Sequence, residues 1–252
     1  MWPQNALEAI SNAKQLLVVT GAGISAASGI PTFRGEGGLW RNYRFDELAT
    51  PAAFARDPGL VWTWYQMRRN VCLKATPNPA HHALVTLEER CERFLLATQN
   101  VDGLHRRAGS LQSICLHGDI LDARCTRCQN IWTLTDAECM ADENDPQTLP
   151  HCAQCGALAR PHILWFGETY WPGTIENAFQ FASGCDVGLV IGTSGAVGPP
   201  AALIEHASRR GATTVEVNPN PSSLSSVVDH LIQTGAVEAM RALISALDTS
   251  NN

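Results

Sequence analysis

The sequence lacks the features that would place it in or across a membrane. No uninterrupted run of about 18 apolar residues occurs in its 252 residues, which argues against a transmembrane helix. The start of the chain has no basic stretch followed by an apolar one, the pattern of a secretion signal. We therefore expect a cytoplasmic protein with no membrane partner.

Positive charge is also scarce. The chain has 18 Lys and Arg against 24 Asp and Glu, a formal net charge of -6. Proteins that neutralise nucleic-acid phosphates carry basic surfaces, so we expect no nucleic-acid partner. Internal repeats and low-complexity segments are absent. A hydrophobic content of 45% is enough for one large domain and a smaller one.

Nine cysteines are an odd number for a chain without a secretion signal, which favours metal ligation over a disulfide framework. Four of them form two C-x-x-C pairs, Cys125 with Cys128 and Cys152 with Cys155. Four thiolates fill a tetrahedral zinc shell and leave no open position, so the predicted site is structural. The alternatives are a redox dithiol or, with the neighbouring arginines, a zinc-ribbon nucleic-acid module. The remaining cysteines are expected to be buried small apolar residues: Cys72, Cys91, Cys115, Cys139 and Cys185.

Strand-like and helical segments alternate along most of the chain, which predicts an α/β fold with a parallel sheet. Strands are predicted at residues 15–20, 94–98, 113–116, 160–168 with a polar edge at its end, 186–191, 214–217 and 228–233. Helices are predicted at 5–13, 80–90, 174–182, 200–209 and 237–247. The segment 45–75 is predicted to be an inserted helical module, because Thr50-Pro51 and Asp57-Pro58 are both typical helix starts.

Several predicted strands end in small or amide residues, as at Gly21, Asn100, Thr193 and Asn218. Ligands bind at the carboxyl edge of a parallel sheet, so this repeated pattern predicts a nucleotide site. The glycines of the first turn would let the backbone and a helix N-terminus approach a phosphate. Ala26 replaces the third glycine of the dinucleotide fingerprint, so the turn by itself indicates little.

His117 follows one predicted strand, and Gln99, Asn100 and Asp102 follow its neighbour. A histidine after an apolar run is commonly a packing or loop residue. Here the two strand ends are predicted to meet, which places all four side chains in one crevice. A neutral imidazole can accept a proton near pH 7, so His117 is a candidate general base.

Taken together, the motifs resemble those of the sirtuins, NAD-dependent protein lysine deacylases. The matching segments occur in family order and span nearly the whole chain: GAGIS at 21–25, GIPTFRG at 29–35, TQNVDGLH at 98–105, LHG at 116–118, the four cysteines, WFGE at 165–168, GTS at 192–194 and VNP at 217–219. Two residues depart from the common pattern. Cys115 stands where the family often has an acid, and Thr32 where many members have Asp. The second departure is shared with the branch that removes acidic acyl groups.

The resemblance implies a Rossmann-like domain at about 1–44, 76–120 and 160–252. A smaller lobe would combine the helical insertion at about 45–75 with the zinc module at about 121–159. NAD would be consumed as a co-substrate, with nicotinamide, O-acyl-ADP-ribose and free lysine as products. His117 would deprotonate a ribose hydroxyl, and Asn100 and Asp102 would hold nicotinamide and ribose. The NAD contacts implied by motif matching are Gly21, Ala22, Gly23, Phe33, Arg34, Gln99, Asn100, Asp102, Gly192, Thr193, Ser194 and Asn218.

The implied partners are proteins that carry acylated lysine, bound by an otherwise monomeric enzyme. The substrate peptide would add a strand beside Phe166, Gly167, Glu168 and Val197. A regulatory nucleotide-binding protein without turnover is the alternative, which nicotinamide release would exclude.

Acyl preference is indicated by Tyr65 and Arg68, which lie three residues apart on one helix face. The pair resembles that of the branch that removes succinyl, malonyl and glutaryl groups, where it meets the distal carboxylate. Arg offers a planar fork for a carboxylate and Tyr a hydroxyl donor. Some acetyl removal is expected as well. The alternative is a packing helix whose arginines face solvent.

Overall fold

The computed structural model describes residues 2–32, 48–135, 138 and 148–250. Most of the glycine-rich loop predicted after Pro31 lies outside these residues. So do the NAD contacts expected at Phe33 and Arg34, as well as Cys139 and the polar run 142–147.

Two sheets and eight helices make up the described part of the chain. In chain order the elements are α1 (Gln4–Asn12), β1 (Gln15–Thr20), α2 (Pro51–Arg56), α3 (Pro58–Lys74), α4 (Pro79–Arg90), β2 (Arg93–Thr98), α5 (Leu104–Ala108), β3 (Ser113–Cys115), β4 (Gly118–Cys125), β5 (Ile131–Thr133), β6 (Ala159–Ile163), α6 (Thr174–Ala182), β7 (Val187–Ile191), α7 (Gly198–Arg209), β8 (Thr213–Val217), β9 (His230–Ile232) and α8 (Ala236–Ser250). None of the described helices is long and apolar enough to span a bilayer.

The larger sheet has six strands in the order β3-β2-β1-β7-β8-β9. Every neighbouring pair is parallel, which confirms the predicted α/β fold. The chain order reverses direction between β1 and β7, so a crevice opens at their carboxyl ends. This is the switch point at which open α/β sheets bind ligands.

The central strand explains why the sheet is covered on both sides. All six residues of β1 are buried. Leu16 and Val18 pack in a core with residues of α1, α4 and α8. Leu17 and Val19 point the other way, into a second core with residues of α6 and α7. A continuous apolar run therefore forms this strand, because both of its faces are excluded from water.

The second sheet was not predicted. It is antiparallel, in the order β5-β4-β6. The strand predicted at 160–168 was expected in the parallel sheet, but only its first part forms a strand, β6, which pairs with β4. The eight-residue strand β4 was missed. Polar and apolar residues at a strand-like spacing do not reveal whether the strand's partner is parallel or antiparallel. Both strands cross the boundaries predicted near residues 120 and 160.

A third core joins the helical insertion to this antiparallel sheet. Trp62, Trp64 and Tyr65 of α3 pack in one cluster with residues of β4 and β6 and with Trp165. The two modules of the predicted smaller lobe thus share buried surface. Its separation as a lobe stays a prediction.

The two helix starts predicted in the insertion are confirmed. The Thr50 hydroxyl accepts the amide of Ala53 at 3.1 Å, with proline next in the chain. The Asp57 carboxylate accepts the amide of Leu60 at 2.9 Å and begins α3. Because α3 carries Tyr65 and Arg68, the second cap fixes where the helix that holds them begins.

We predict that Asp57→Ala lowers the free energy of unfolding by about 1 kcal/mol, since it removes the N-cap acceptor. The melting temperature should fall by about 2–4 °C. Asp57→Asn, which keeps an acceptor, should melt like the wild type. Equal melting of the alanine variant and the wild type would contradict a capping role.

Candidate active site

A cavity of about 1170 Å³ runs along the carboxyl edge of the parallel sheet and beneath α3. It is lined by nearly all of the predicted site residues that the structure describes: Gly21, Ala22, Gly23, Tyr65, Arg68, Gln99, Asn100, His117, Phe166, Gly167, Glu168, Gly192, Thr193, Ser194, Val197 and Asn218. Asp102 is absent from this lining. Thr32, one of the two departures from the family pattern, is part of it.

The glycines after β1 are required by a close contact between two turns. A Cβ atom at Gly21 would lie 2.8 Å from the carbonyl oxygen of Gly192, and one at Gly23 would lie 2.7 Å from the Gly192 Cα. Gly192 itself has a φ of 63°, in the left-handed region that favours glycine. The turns after β1 and β7 therefore pack backbone against backbone. The expected approach to a phosphate is not needed to explain these residues.

The expected helix N-terminus after the first turn is not present in the described residues. Two short 3₁₀ turns, Ala22–Ile24 and Ala26–Ser28, follow Gly21 instead. Such turns are too short to build up a helix dipole. Anion binding here would depend on individual backbone amides.

Side-chain hydrogen bonds join the ends of the central strands. The Gln99 amide donates to the Thr193 hydroxyl at 3.0 Å and to the Thr20 carbonyl at 3.4 Å. The Asn218 amide donates to the Thr193 carbonyl at 2.7 Å. Residues after β2, β7 and β8 are thus brought together, as the polar strand ends predicted.

His117 lies in the cavity, and each of its ring nitrogens is within hydrogen-bonding distance of another residue. Nδ1 is 3.0 Å from the carbonyl oxygen of Gln99. A carbonyl only accepts, so Nδ1 carries the hydrogen and Nε2 presents the lone pair of a neutral imidazole. Nε2 is 3.3 Å from the hydroxyl of Tyr170, a residue that the sequence reasoning missed. Burial lowers the pKa of His117, and the bond to Gln99 partly opposes this.

Cys115 does not orient His117. It is half-buried and lines a separate crevice together with Asp119. Burial raises the pKa of its thiol to about 12, so the thiol is neutral. The ring of His117 is instead held by Gln99 and Tyr170. Cys91 is also half-buried, whereas Cys72 and Cys185 are buried as expected.

Asn100 and Asp102 both line the crevice that contains Cys115, but only Asn100 also lines the large cavity with His117. The Asn100 amide donates to the Gly21 carbonyl at 3.1 Å and to the Ser25 hydroxyl at 3.3 Å, and Asn100 lines the cavity. Asp102 lies behind it, accepting the Ser25 hydroxyl at 2.7 Å and the Leu104 amide at 2.9 Å. Burial raises the pKa of Asp102. Its hydrogen bonds hold the turn that carries Ser25 against the segment after β2, which carries Asn100.

Two buried histidines support this cluster from behind. His81 Nε2 is 3.4 Å from the Ser25 hydroxyl, and His105 Nε2 is 3.0 Å from the Thr20 hydroxyl. Their rings lie 4.8 Å apart. Burial lowers the pKa of His81 to about 4 and that of His105 to about 3, so both are neutral near pH 7. Ser25 and His105 lie inside the quoted motifs, but His81 carried no signal of its own.

The helical insertion forms the wall at the other end of the cavity. The Tyr65 hydroxyl accepts the indole N–H of Trp165 at 2.9 Å. The Arg68 guanidinium carbon lies 4.6 Å from the Trp64 ring centroid and 5.3 Å from that of Tyr65. Burial raises the pKa of Tyr65, and the charge of Arg68 acts in the opposite direction. Both predicted acyl contacts therefore face the cavity, and Arg68 does not point away from it as in a simple packing helix.

The loop after β6 is fixed by the side chain of Glu168. Its carboxylate pairs with Arg160, at 2.5 and 2.9 Å, and accepts the backbone amide of Trp165 at 2.8 Å. Phe166 is 56% exposed and Val197, across the cleft, is 38% exposed. Glu168 therefore shapes the loop, while Phe166 and Val197 are available to a partner.

The four predicted zinc ligands converge. Their sulfur atoms all lie within 4.8 Å of one another, and those of Cys125 and Cys155 are 3.4 Å apart. Tetrahedral zinc with bonds of about 2.3 Å places sulfur atoms roughly 3.8 Å apart. Each C-x-x-C pair is followed directly by a residue in the left-handed backbone region: Gln129, with φ of 63°, and Gly156, with φ of 69°. The residues fit one zinc ion with no position left for substrate.

The fold and the site are those of a nucleotide-dependent α/β enzyme with a structural zinc module. The cavity lies at the switch point of the parallel sheet, His117 is placed in it as a candidate base, and the four cysteines lie outside it. The Sir2 family model matches residues 21–199 of the chain. The chain belongs to the Sir2 family.

The sequence aligns with those of curated relatives over almost its full length. The NAD-dependent protein deacylase of Thermus thermophilus is 46% identical over 245 residues, covering 96% of this chain and 93% of that protein. The NAD-dependent protein deacylase 2 of Pyrobaculum aerophilum is 45% identical over 240 residues, covering 95% and 94%.

Solved structures show the same fold. A Sir2 homologue in complex with NAD superposes with a TM-score of 0.90 at 40% identity, covering 100% of this chain and 96% of that one. A Sir2 complex with a p53 peptide and NAD+ has a TM-score of 0.83 at 30% identity, covering 98% of each chain.

We predict that Cys152→Ser loses zinc and stability together, because a structural site contributes folding energy directly. Elemental analysis and thermal melting measure the two losses. Cys91→Ser, a half-buried cysteine outside the cluster, should keep its zinc. A serine variant at position 152 with full stability and no metal would show that the ion is dispensable.

Proposed function

We propose that this enzyme, an NAD-dependent protein deacylase, removes succinyl and malonyl groups from protein lysine and retains some activity on acetyl groups. The products are nicotinamide, O-acyl-ADP-ribose and free lysine. One observation carries the acidic-acyl preference: Tyr65 and Arg68 line the same cavity as His117. Monomeric state and cytoplasmic location stay predictions.

His117 is the general base in this proposal. With Nδ1–H bonded to Gln99, its Nε2 lone pair is available to take the proton of a ribose hydroxyl. The Tyr170 hydroxyl must move away from His117 Nε2 when the ribose binds. The distance between these two atoms is 3.3 Å, which is long for a hydrogen bond. The acyl oxygen attacks the ribose carbon as nicotinamide leaves. The deprotonated ribose hydroxyl then bonds to the acyl carbon, and with the uptake of one water lysine is released as the free amine.

The strand ends support the proposed NAD contacts. Gln99, Thr193 and Asn218 belong to one hydrogen-bonded group at the carboxyl ends of the parallel strands, where open α/β sheets bind nucleotides. Gly21 lines the same cavity and accepts the Asn100 amide. Asn100 is proposed to meet nicotinamide, since it lines the cavity. Asp102 is proposed to act through Ser25, because it does not line the cavity.

At the α3 end of the cavity, Tyr65 and Arg68 offer the positive charge and hydrogen-bond donors that a carboxylate needs. Burying a carboxylate is costly unless it is paired and hydrogen-bonded. Arg68 offers the charge and a planar fork. The Tyr65 oxygen already accepts from Trp165, which leaves its own hydrogen to donate. Acetyl has no carboxylate and would use neither group.

The substrate peptide is proposed to lie between Phe166 and Val197. These apolar side chains are exposed and line the cavity mouth, next to backbone that could pair with an added strand. The p53 peptide in the related Sir2 complex supports a protein substrate. Acylated lysine side chains would then enter between the sheet edge and α3.

His117→Ala should reduce turnover about a hundredfold or more while leaving zinc content and ADP-ribose affinity near wild type. Steady-state nicotinamide release and calorimetry test the two statements. Near-normal turnover in the folded variant would exclude His117 as the base.

The pH profile should reflect the lowered pKa of His117. A base must be neutral to act, and a lower pKa keeps it neutral to lower pH. We therefore expect the acid limb of kcat/KM to be centred below the ordinary histidine pKa of 6.5. An acid limb centred above 6.5 would contradict this assignment.

Arg68→Met should lower kcat/KM on a succinyl-lysine peptide about 10- to 100-fold, since a hydrogen bond to a charged group contributes roughly 1.5–3 kcal/mol. Activity on the matching acetyl-lysine peptide should change little. Arg68→Lys keeps the charge but not the fork and should fall between. Equal losses on both peptides would show that Arg68 serves the fold or NAD instead.

A further inference from the structure

We propose that Trp64 is a positioning residue for acyl specificity, holding the Arg68 guanidinium where it meets the distal carboxylate. This inference rests on the proposed acidic-acyl function. Trp64 lines the cavity beside Tyr65 and Arg68 and was no part of the predicted site.

The geometry of the three side chains supports this role. The Arg68 guanidinium carbon lies 4.6 Å from the Trp64 ring centroid, inside the cation–π range of about 6 Å. The Trp64 and Tyr65 rings are 4.7 Å apart at 79°, so they meet edge to face. At 5.3 Å from the Tyr65 ring, the guanidinium carbon lies within reach of both faces. Two rings at nearly a right angle form a corner that restricts the arginine.

Trp64 can restrict Arg68 because its own position is fixed. The residue is 6% exposed and belongs to the core shared by α3 and the antiparallel sheet. A long arginine side chain otherwise has many rotamers, and a site gains affinity when such freedom is removed before the ligand arrives. Of the aromatic residues, tryptophan attracts cations most strongly. A buried ring thus orients the fork in advance of the substrate.

The competing explanation is that Trp64 only fills the core. A packing defect would lower stability and would affect acetyl and succinyl substrates alike. A positioning role acts through Arg68, so it should vanish when Arg68 is replaced. A double-mutant cycle separates the two explanations, because residues that act through each other are not additive.

The experiment measures kcat and KM on matched succinyl- and acetyl-lysine peptides for Trp64→Leu, Arg68→Met and the double variant. Trp64→Leu should raise KM for the succinyl peptide about 2- to 30-fold, the range of a cation–π contact, with kcat within about twofold. The acetyl KM should be nearly unchanged. In the Arg68→Met background, Trp64→Leu should have no further effect on the succinyl KM.

Two further variants keep the test decisive. Trp64→Phe retains a ring face and should rescue part of the succinyl KM, and it replaces Trp64→Leu in the cycle if the leucine variant does not fold. Trp62→Leu, at a tryptophan that is 2% exposed on the same helix and outside the cavity lining, should lose stability without changing the succinyl-to-acetyl ratio.

The results distinguish the two levels of inference. If Arg68→Met weakens both substrates equally, the acidic-acyl function is wrong. If Arg68→Met is selective for succinyl but Trp64→Leu is not, only the positioning role is wrong. Additive effects of Trp64→Leu and Arg68→Met on the succinyl KM would also overturn the proposal.

Discussion

The close packing of the turn after β1 on the turn after β7 sets the geometry of the whole site. Gly21 and Gly23 touch the backbone of Gly192 so closely that a side chain at either position would separate the two strand ends. Only at this separation can Gln99 reach both Thr20 and Thr193. Asn100 depends on the same contact, since it binds the Gly21 carbonyl. The close contact of three glycines thus allows the hydrogen bonds that join the strand ends along the cavity.

The antiparallel sheet connects the zinc module to the cavity. β4 starts directly after His117 and ends at the predicted zinc ligand Cys125. β6 runs back from the second C-x-x-C pair to the loop that contains Phe166 and Glu168. At the cavity end, the amide of Leu164 donates to the carbonyl of His117 at 2.9 Å. A zinc ion held by the four cysteines at the far end would fix how the two strands pair. It would therefore support the position of His117 from a distance.

Core packing and the cavity wall share residues in the helical insertion. Trp64, Tyr65 and Trp165 belong to the core that joins the insertion to the antiparallel sheet, and all three also line the cavity. Arg68 lies beside the rings of Trp64 and Tyr65. A guanidinium beside buried rings lies in surroundings of low polarity, where its attraction to a carboxylate is stronger than in water. The same buried aromatic residues therefore hold the helical insertion against the antiparallel sheet and keep Arg68 at the cavity.

The sequence by itself determined what depends on neighbouring residues: the apolar runs of the parallel strands, their polar ends, the caps at Thr50 and Asp57, and the two C-x-x-C pairs. Strand order and the second sheet were decided by tertiary structure, because residues of β4 pair with residues of β6 that lie 34 (Cys125 with Ala159) to 45 (Gly118 with Ile163) positions later in the chain. The same is true of the contacts made by Ser25 with Asp102, His117 with Tyr170, and Tyr65 with Trp165, which are 77, 53 and 100 residues apart. Local periodicity carries no information about such pairs. Only the folded chain turns Asp102 away from the cavity and brings Tyr170 to the base, since burial and hydrogen-bond geometry arise when distant segments pack together.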